Sequence, residues 1–374
     1  MKLSRFLCFA WLAALPPTLL VSSNAWSANH YGLEEKSILL TSAGPLAFGP
    51  EGILFVSDPK SATIYAIDTK SHRPEKADLE KATYQLEDVQ GALASLANGN
   101  AGDVAVADIA VDPEAGTLLM SVTLASRPGL AVVGLDGKAN LIKLDKVLAS
   151  AIELPNAPPD KVTGEGRRAS NKRMESITDL AFSEGRLIVS GLAGENPLST
   201  VRAIGFPFQA PGSEAQIEIF HAAHGRNEDY AAIRAFIPIN IDGKPSLLAG
   251  FTCTPLVRFS LDSLQKGDKV RGTTVAELGN QNRPLDMIVY ERDGKTFLLV
   301  TNTARGVMKI DTADVAGQDE LTEPVKGGGT AGVPFSKVES MTGILQLAKL
   351  GETHGVILRE TEEKRLSLAT IELP

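Results

Sequence analysis

Four oxygen-bearing side chains recur at regular intervals in this sequence and could hold a metal ion. Glu175, Asp229, Asn282 and Glu339 follow one another at spacings of 54, 53 and 57 residues, which predicts one shared position of a structural repeat. Carboxylate and amide oxygens are the ligands that Ca²⁺ prefers in proteins. We therefore predict a cation site built from this set, with turn capping by the same polar groups as the alternative.

A second set offers nitrogen and sulfur ligands. His221 and His224 stand three residues apart, and Cys253 follows in a Phe-Thr-Cys-Thr-Pro turn. Two imidazoles and a thiolate could bind Zn²⁺ or copper, as a redox or metal-handling accessory protein would require. The alternative is a buried, inert cysteine next to ordinary loop histidines.

The elements that carry these residues read as a repeat of short strands. Apolar runs of strand length alternate with turns rich in Gly, Asp and Asn. Six such units begin at Leu46, Ile109, Leu180, Arg234, Met287 and Ile344, which we call the anchors. Their spacings are 63, 71, 54, 53 and 57 residues, as expected for one four-stranded sheet per repeat. The sequence predicts an all-β fold, a six-bladed β-propeller, or seven blades if an insertion hides a repeat.

The two wide spacings predict insertions, near residues 70–102 and 143–173. The first has apolar residues at helical spacing, namely Leu86, Val89, Leu93 and Leu96. The second is expected to contain a short helix-like apolar piece followed by a Pro-rich and then basic loop. Residues 29–42 or the C-terminal strand 366–374 are expected to close the ring.

Residues before each innermost strand, and the loops between second and third strands, should meet at one mouth of the channel. Asp58 and Asn302 are expected to reach this mouth as ligand-binding residues. Asp108, Asp179 and Asp286 stand directly before three anchors. They are either further polar groups at the mouth or, as we favour, acceptors of hydrogen bonds between blades.

The repeat grammar resembles that of the six-bladed propellers of the gluconolactonase, strictosidine-synthase and NHL-repeat group. The resemblance lies in Gly44–Phe48 with Gly52–Asp58, and in Arg283–Met287. It implies a Ca²⁺ ion in the channel mouth, held by acid and amide side chains from separate blades. It also implies a competing function, a Ca²⁺-dependent lactonase or esterase, in which Glu175 or Glu339 would be the general base.

The N-terminus has the pattern of a secretory signal. Lys2 and Arg5 precede an apolar stretch, and Ala25-Trp26-Ser27 offers a cleavage site. We predict a signal peptide over residues 1–27, a single propeller domain over 28–374, and a location in the periplasm or outside the cell. Removing the signal would take away Cys8 and leave Cys253 as the only cysteine.

Charge and motifs exclude several classes of function. The formal net charge is -8, which argues against nucleic acid as a partner because phosphate binding needs clustered cations. The sequence contains no P-loop, no His-Glu-x-x-His and no Gly-x-Ser-x-Gly motif. We predict an exported propeller, without a membrane span after cleavage, that binds a small-molecule or protein ligand at its channel mouth.

Overall fold

Six antiparallel sheets surround a central channel in the computed structural model, which describes residues 31–73, 78–166, 169–264 and 266–374. The prediction of a six-bladed β-propeller is confirmed. The predicted signal peptide lies outside the described residues. We number the blades 1 to 6 by the chain order of their innermost strands.

The strands of each blade run in space from the channel outward, in the following order. Blade 1 consists of Leu46–Phe48, Ile53–Asp58, Thr63–Asp68, Val147–Glu153 and Glu34–Lys36. Blade 2 consists of Val104–Val111, Leu118–Leu124, Arg127–Val133 and Ala139–Leu141. Blade 3 consists of Asp179–Ser183, Arg186–Ala193, Leu198–Gly205, Ser213–His221 and Arg226–Glu228, with Lys269–Arg271 parallel to Ser213–His221. Blade 4 consists of Ile233–Ile241, Lys244–Phe251, Pro255–Ser260, Thr273–Glu277 and Ala331–Gly332. Blade 5 consists of Pro284–Arg292, Lys295–Asn302, Gly306–Asp311 and Ser336–Lys337. Blade 6 consists of Ile344–Leu350, His354–Glu360, Leu366–Glu372 and Gln85–Leu86.

The remaining elements are short and lie between these strands. They are the hairpin Val162–Thr163 and Ser170–Asn171, the α-helices Val89–Leu96, Leu261–Leu264 and Thr312–Gly317, and the 3-10 helices Pro50–Gly52, Lys70–His72, Ala101–Asp103, Lys172–Glu175 and Lys326–Gly328. None of the helices in the described part of the chain is long and apolar enough to span a bilayer.

Local sequence explains the individual hairpins. Asp242-Gly243 and Asp293-Gly294 turn between the first and second strands of blades 4 and 5, with positive φ at all four residues. Two successive positive φ angles match the twist of a tight hairpin, and Asp-Gly tolerates them. The second strand of each blade is buried on both faces, as Ile53–Asp58 shows with six buried residues.

The blades do not follow one another around the ring in chain order. The innermost strand of blade 1 packs between those of blades 2 and 3, and the innermost strand of blade 2 packs against that of blade 6. The spatial order is therefore 2, 1, 3, 4, 5, 6. Each of the six hydrophobic clusters lies between two blades that are neighbours in this order.

The exchanged positions of blades 1 and 2 depend on the two predicted insertions. Gln85–Leu86 pairs with the third strand of blade 6 and completes that blade. The predicted helix follows as Val89–Leu96. In the second insertion the expected helix-like piece is wrong, because Val147–Glu153 is a strand that pairs with Thr63–Asp68 of blade 1.

Ring closure also differs from the expectation. Glu34–Lys36 is the outermost strand of blade 1, and Leu366–Glu372 is the third strand of blade 6. The ring closes instead where blade 2 packs against blade 6, with Gln85–Leu86 added from the first insertion.

Candidate functional site

Innermost strands from all six blades line a central channel of about 400 Å³. Asp108, Asp179 and Asp286 face this channel from blades 2, 3 and 5, which are alternate blades in the spatial order. Each carboxylate accepts a hydrogen bond from the amide of the next residue in its own strand, at 2.7 to 2.8 Å. The three residues thus occupy equivalent positions with an approximate threefold arrangement.

Each of these aspartates also joins its blade to a neighbour. The second carboxylate oxygen accepts from the backbone amide of Leu46, Phe236 or Leu347, at 2.8, 2.7 and 2.6 Å respectively. The blades are therefore linked in pairs, 2 with 1, 3 with 4, and 5 with 6. The predicted hydrogen bonds between blades are confirmed for all three residues.

Burial changes the protonation of these three carboxyls. It raises the pKa of Asp108 to about 7 and that of Asp179 to about 8, although backbone amides act in the opposite direction. The pKa of Asp286 is also raised, first by burial and then by the Asp108 carboxylate. With its amide oriented to satisfy both partners, Gln346 donates to Asp108 at 3.1 Å and to Asp286 at 2.9 Å. The aspartates are thus held by protein donors.

The mouth of the channel carries more positive than negative side chains. Glu175 ends the 3-10 helix Lys172–Glu175 and pairs with Lys172 at 2.8 Å and with Arg234 at 3.1 Å. Arg234 also donates to the Thr252 hydroxyl at 3.1 Å. Arg283 lines the same opening, so three cations surround one carboxylate.

Arg283 differs from its neighbours because no described residue accepts a hydrogen bond from its guanidinium or pairs with it. Its pKa is lowered, first by burial and then by the Arg234 cation, while Glu175 acts in the opposite direction. An arginine stays charged in spite of such a shift. The guanidinium is thus a fixed positive charge whose donors are available to a ligand.

A larger cavity of about 740 Å³ opens between blades 5 and 6 and shares Arg283 with the channel. Arg305 and Lys337 also line it, whereas Glu360 is its one acidic lining residue, and that carboxylate pairs with Lys364 at 2.7 Å. Its apolar lining residues are Leu285, Met308, Phe335, Ile344 and Leu345. This cavity combines positive charge with apolar walls, in a chain whose net charge is -8.

The structure does not bring the four predicted oxygen ligands together. The innermost strands of blades 2, 4, 5 and 6 each contain a shift in strand register. These shifts lie directly before Asp108, Ala235, Asp286 and Gln346, respectively. The structural position of the anchors Ile109 and Met287 is therefore occupied by Phe236 in blade 4 and by Leu347 in blade 6. Phe236 lies two residues after the predicted anchor Arg234, and Leu347 lies three residues after the predicted anchor Ile344. The predicted repeat position is thus displaced in blades 4 and 6, and the four side chains predicted to converge do not occupy one shared structural position.

Only Glu175 of that set lines the channel. Asp229 lies beside the outer strands of blade 3, where it contacts Gln216 at 3.3 Å and Lys269 at 3.4 Å. Asn282 is buried and donates to Asn302 at 3.0 Å. Glu339 is exposed and pairs with Lys337 at 2.9 Å.

The two predicted ligand-binding residues also have different surroundings. Asp58 is fully buried, and its carboxylate accepts from the Thr41 amide at 2.7 Å and the Ser42 hydroxyl at 2.6 Å. It therefore fixes the loop before blade 1 and is not open to a ligand. Asn302 lines the cavity between blades 5 and 6.

The predicted set of His221, His224 and Cys253 is assembled only in part. Among the described residues, the one cluster of three side chains with ligand atoms within 4.8 Å of one another is His221, His224 and Glu228. Cys253 is a free thiol that shares a surface cavity with His224. Glu228 therefore stands where the thiol was expected.

Sequence reasoning missed the two arginines at the mouth and Glu228. Arg234 is one of the six anchors, and a cation at an anchor position is itself unusual. The sequence signal for Glu228 is the turn at Ala222–Gly225, because a hairpin around this turn pairs His221 with Arg226. Glu228 is two residues after Arg226 in the same strand, so its side chain lies on the same face as that of His221.

No protein-family model matches the sequence, and no curated protein matches it either. Several solved structures are similar in shape. The PQQ-bound aldose sugar dehydrogenase of Streptomyces coelicolor is 13% identical with a TM-score of 0.32, over 91% of this chain and 98% of that one. A protein named as a 6-phosphogluconolactonase of Bacteroides uniformis is 11% identical with a TM-score of 0.33, over 89% and 78%. The dihydro-heme d1 dehydrogenase NirN is 14% identical with a TM-score of 0.33, over 88% and 54%. Similarity this low carries no functional argument, so the site must be argued from its own geometry.

Proposed function

We propose that this protein is an exported β-propeller that binds an anionic small molecule at the channel mouth, with Arg283 as the main anchor. The observation that carries the proposal is the Arg283 guanidinium, which forms no ion pair or hydrogen bond with a described residue and which lies at the junction of two cavities. Export rests on the N-terminal signal pattern alone.

The chemistry of the mouth favours a carboxylate or phosphate group. A guanidinium presents planar, paired donors that match both groups, and charge-assisted hydrogen bonds of this kind are the strong ones. Arg234 next to Arg283 adds a second positive charge, which an incoming anion would compensate. The cavity between blades 5 and 6 offers apolar contacts for the remainder of the ligand.

Neither the Ca²⁺ site nor the lactonase function gains support from this geometry. The predicted oxygen ligands lie apart, and the two candidate bases, Glu175 and Glu339, are both in ion pairs with cations. Both carboxylates thus already have cationic partners within the protein. Binding is therefore the function that we propose.

Calorimetric titration with matched probes tests the proposal. Citrate, gluconate and glycerol phosphate serve as anions, with glucose and glycerol as neutral counterparts, at low ionic strength. We expect at least one anion to bind and its neutral counterpart not to bind. The variant Arg283→Gln should weaken that binding about 10- to 100-fold, the range of one charged hydrogen bond.

Arg186→Gln is the matched control, because Arg186 is exposed and begins the second strand of blade 3 at the opposite face. It removes the same charge from the whole molecule and should leave the affinity unchanged. Equal losses in both variants, or anions that bind no better than the neutral probes, would contradict the proposal.

A further inference from the structure

A hairpin at the edge of blade 3 gathers two histidines and a glutamate. Ser213–His221 and Arg226–Glu228 are its strands, and His224 lies in the connecting turn. The turn is fixed from outside, since Ala223 donates its amide to Glu277 at 3.1 Å and Val325 donates to the Ala222 carbonyl at 2.9 Å. The side chains of the cluster are therefore held on a rigid support.

Glu228 orients both imidazoles at once. Its two oxygens lie 2.8 Å from Nδ1 of His221 and 2.8 Å from Nδ1 of His224. The two rings lie against each other, with centroids 3.8 Å apart and a tilt of 36°. Because each Nδ1 faces the carboxylate, the Nε2 atoms lie on the other side of the rings.

The Nε2 atom of His221 has no hydrogen-bond partner among the described residues. His221 is only 2% exposed, and this atom makes no hydrogen bond with any described residue. Buried polar atoms nearly always have a partner, and an exception needs an explanation such as an ion that fills the site. The ion pairs of Glu228 explain the Nδ1 side of the cluster and leave the Nε2 side unexplained.

We propose that His221 and His224 bind one divalent transition-metal ion of the Zn²⁺ class through their Nε2 atoms, with Glu228 as the positioning residue. Histidines that ligate a metal usually donate their other ring N–H to a carboxylate, which sets the tautomer and the ring orientation. In this hairpin a single carboxylate does so for both rings. Solvent reaches the half-exposed His224 side chain, so an ion has an entry path from that side.

This site is separate from the anion site proposed at the channel mouth. It is built from the outer edge of blade 3, and none of its three side chains lines the channel. Failure of one proposal therefore leaves the other standing. The ligand set also differs from the predicted one, since Cys253 is not needed to hold the ion.

Equilibrium titration of the untagged protein with Zn²⁺ tests the inference. We expect saturable binding of one ion per chain. His224→Ala should weaken it at least about tenfold, and Glu228→Gln by about 10- to 100-fold through loss of orientation. His224 is 42% exposed, so its variant should fold, and a far-ultraviolet circular dichroism spectrum equal to that of the parent checks this.

Two controls separate this set from other ligands. His354→Ala removes a partly exposed histidine at a distant position in blade 6 and should leave the affinity unchanged. Cys253→Ser should change it by less than about twofold. X-ray absorption at the zinc edge should give nitrogen or oxygen neighbours at about 2.0–2.1 Å and no sulfur at about 2.3 Å.

Several results would overturn the proposal. They are the absence of saturable Zn²⁺ binding to the parent, unchanged affinity in a folded His224→Ala variant, and a zinc–sulfur distance in the absorption spectrum. A loss in Cys253→Ser as large as that in His224→Ala would equally reject the two-histidine assignment.

Discussion

Asp108, Asp179 and Asp286 are surrounded by backbone amides inside the channel, yet burial dominates their protonation. A carboxyl with a folded-state pKa near 7 or 8 binds a proton that the unfolded chain has released above about pH 4. Between about pH 4 and the folded-state pKa, the folded state therefore binds more protons than the unfolded chain. Stability must therefore fall as pH rises through this range.

We predict that the free energy of unfolding decreases from pH 5 to pH 8, and that Asp179→Asn reduces this decrease. An asparagine keeps an acceptor oxygen and cannot ionise. Glu228, with a pKa of about 2, acts in the opposite direction only at more acidic pH. The pKa of His221 is lowered, which makes stability rise with pH below the ordinary pKa of histidine. This opposing effect is the same in the parent and in the Asp179→Asn variant. Urea denaturation at four pH values measures the difference; parallel curves for parent and variant would contradict the assignment.

At the scale of elements, the two segments that interrupt the repeat hold the ring together. The helix Val89–Leu96 buries Val89, Leu93 and Ala94 in the cluster between blades 2 and 6. Asp88 caps its first turn by accepting from the Gly91 amide at 2.8 Å. Tyr84 adds two hydrogen bonds to Thr370 just before the closing strand. This segment is therefore part of the ring closure.

We predict that Leu93→Ala destabilises the protein by about 2–5 kcal/mol, because it leaves a cavity at a fully buried position. Leu96→Ala, on the exposed side of the same helix at 41% exposure, should cost no more than about 0.5 kcal/mol. Both substitutions remove the same side-chain atoms. Denaturant unfolding compares them, and equal effects would show that the helix is not packed in the ring.

At the scale of the whole molecule, the exchanged blades make closure a long-range event. Blade 1 is completed by a strand from residues 147–153, after the chain has formed blade 2. Blade 6 is completed by residues 85–86, nearly three hundred positions from its third strand. Blades 1 and 6 are therefore each completed by a segment that flanks blade 2 in the chain, whereas the four strands of blade 2 are contiguous.

Export also concerns the whole chain and has a chemical readout. If the signal is removed after Ser27, Cys253 is the only cysteine left, whereas the full chain has two. We predict about one titratable thiol per chain under denaturing conditions for protein recovered from the periplasm or medium, with Ala28 at its N-terminus. Two thiols, or an intact N-terminus in all fractions, would contradict export.

The sequence by itself determined the blades, because strands and tight turns depend on alternation and turn residues that lie close together in the chain. It also indicated a helix in the first insertion, although the predicted pattern began at Leu86, which lies in the strand before the helix, and it indicated that Asp108, Asp179 and Asp286 join blades. These features need only local pattern and one repeat position. The same reasoning failed where the repeat alignment was displaced by two or three residues, as at Asp229 and Glu339.

Only the tertiary structure decided which strands complete blades 1 and 6, since the pairing of distant segments leaves no local signal. It also decided the site. Arg283 and Arg234 meet because two innermost strands start at the same mouth, and Glu228 meets His221 because a hairpin puts both side chains on one face. Side-chain convergence depends on register and on the order of blades, and a one-residue change in register turns a side chain to the opposite face.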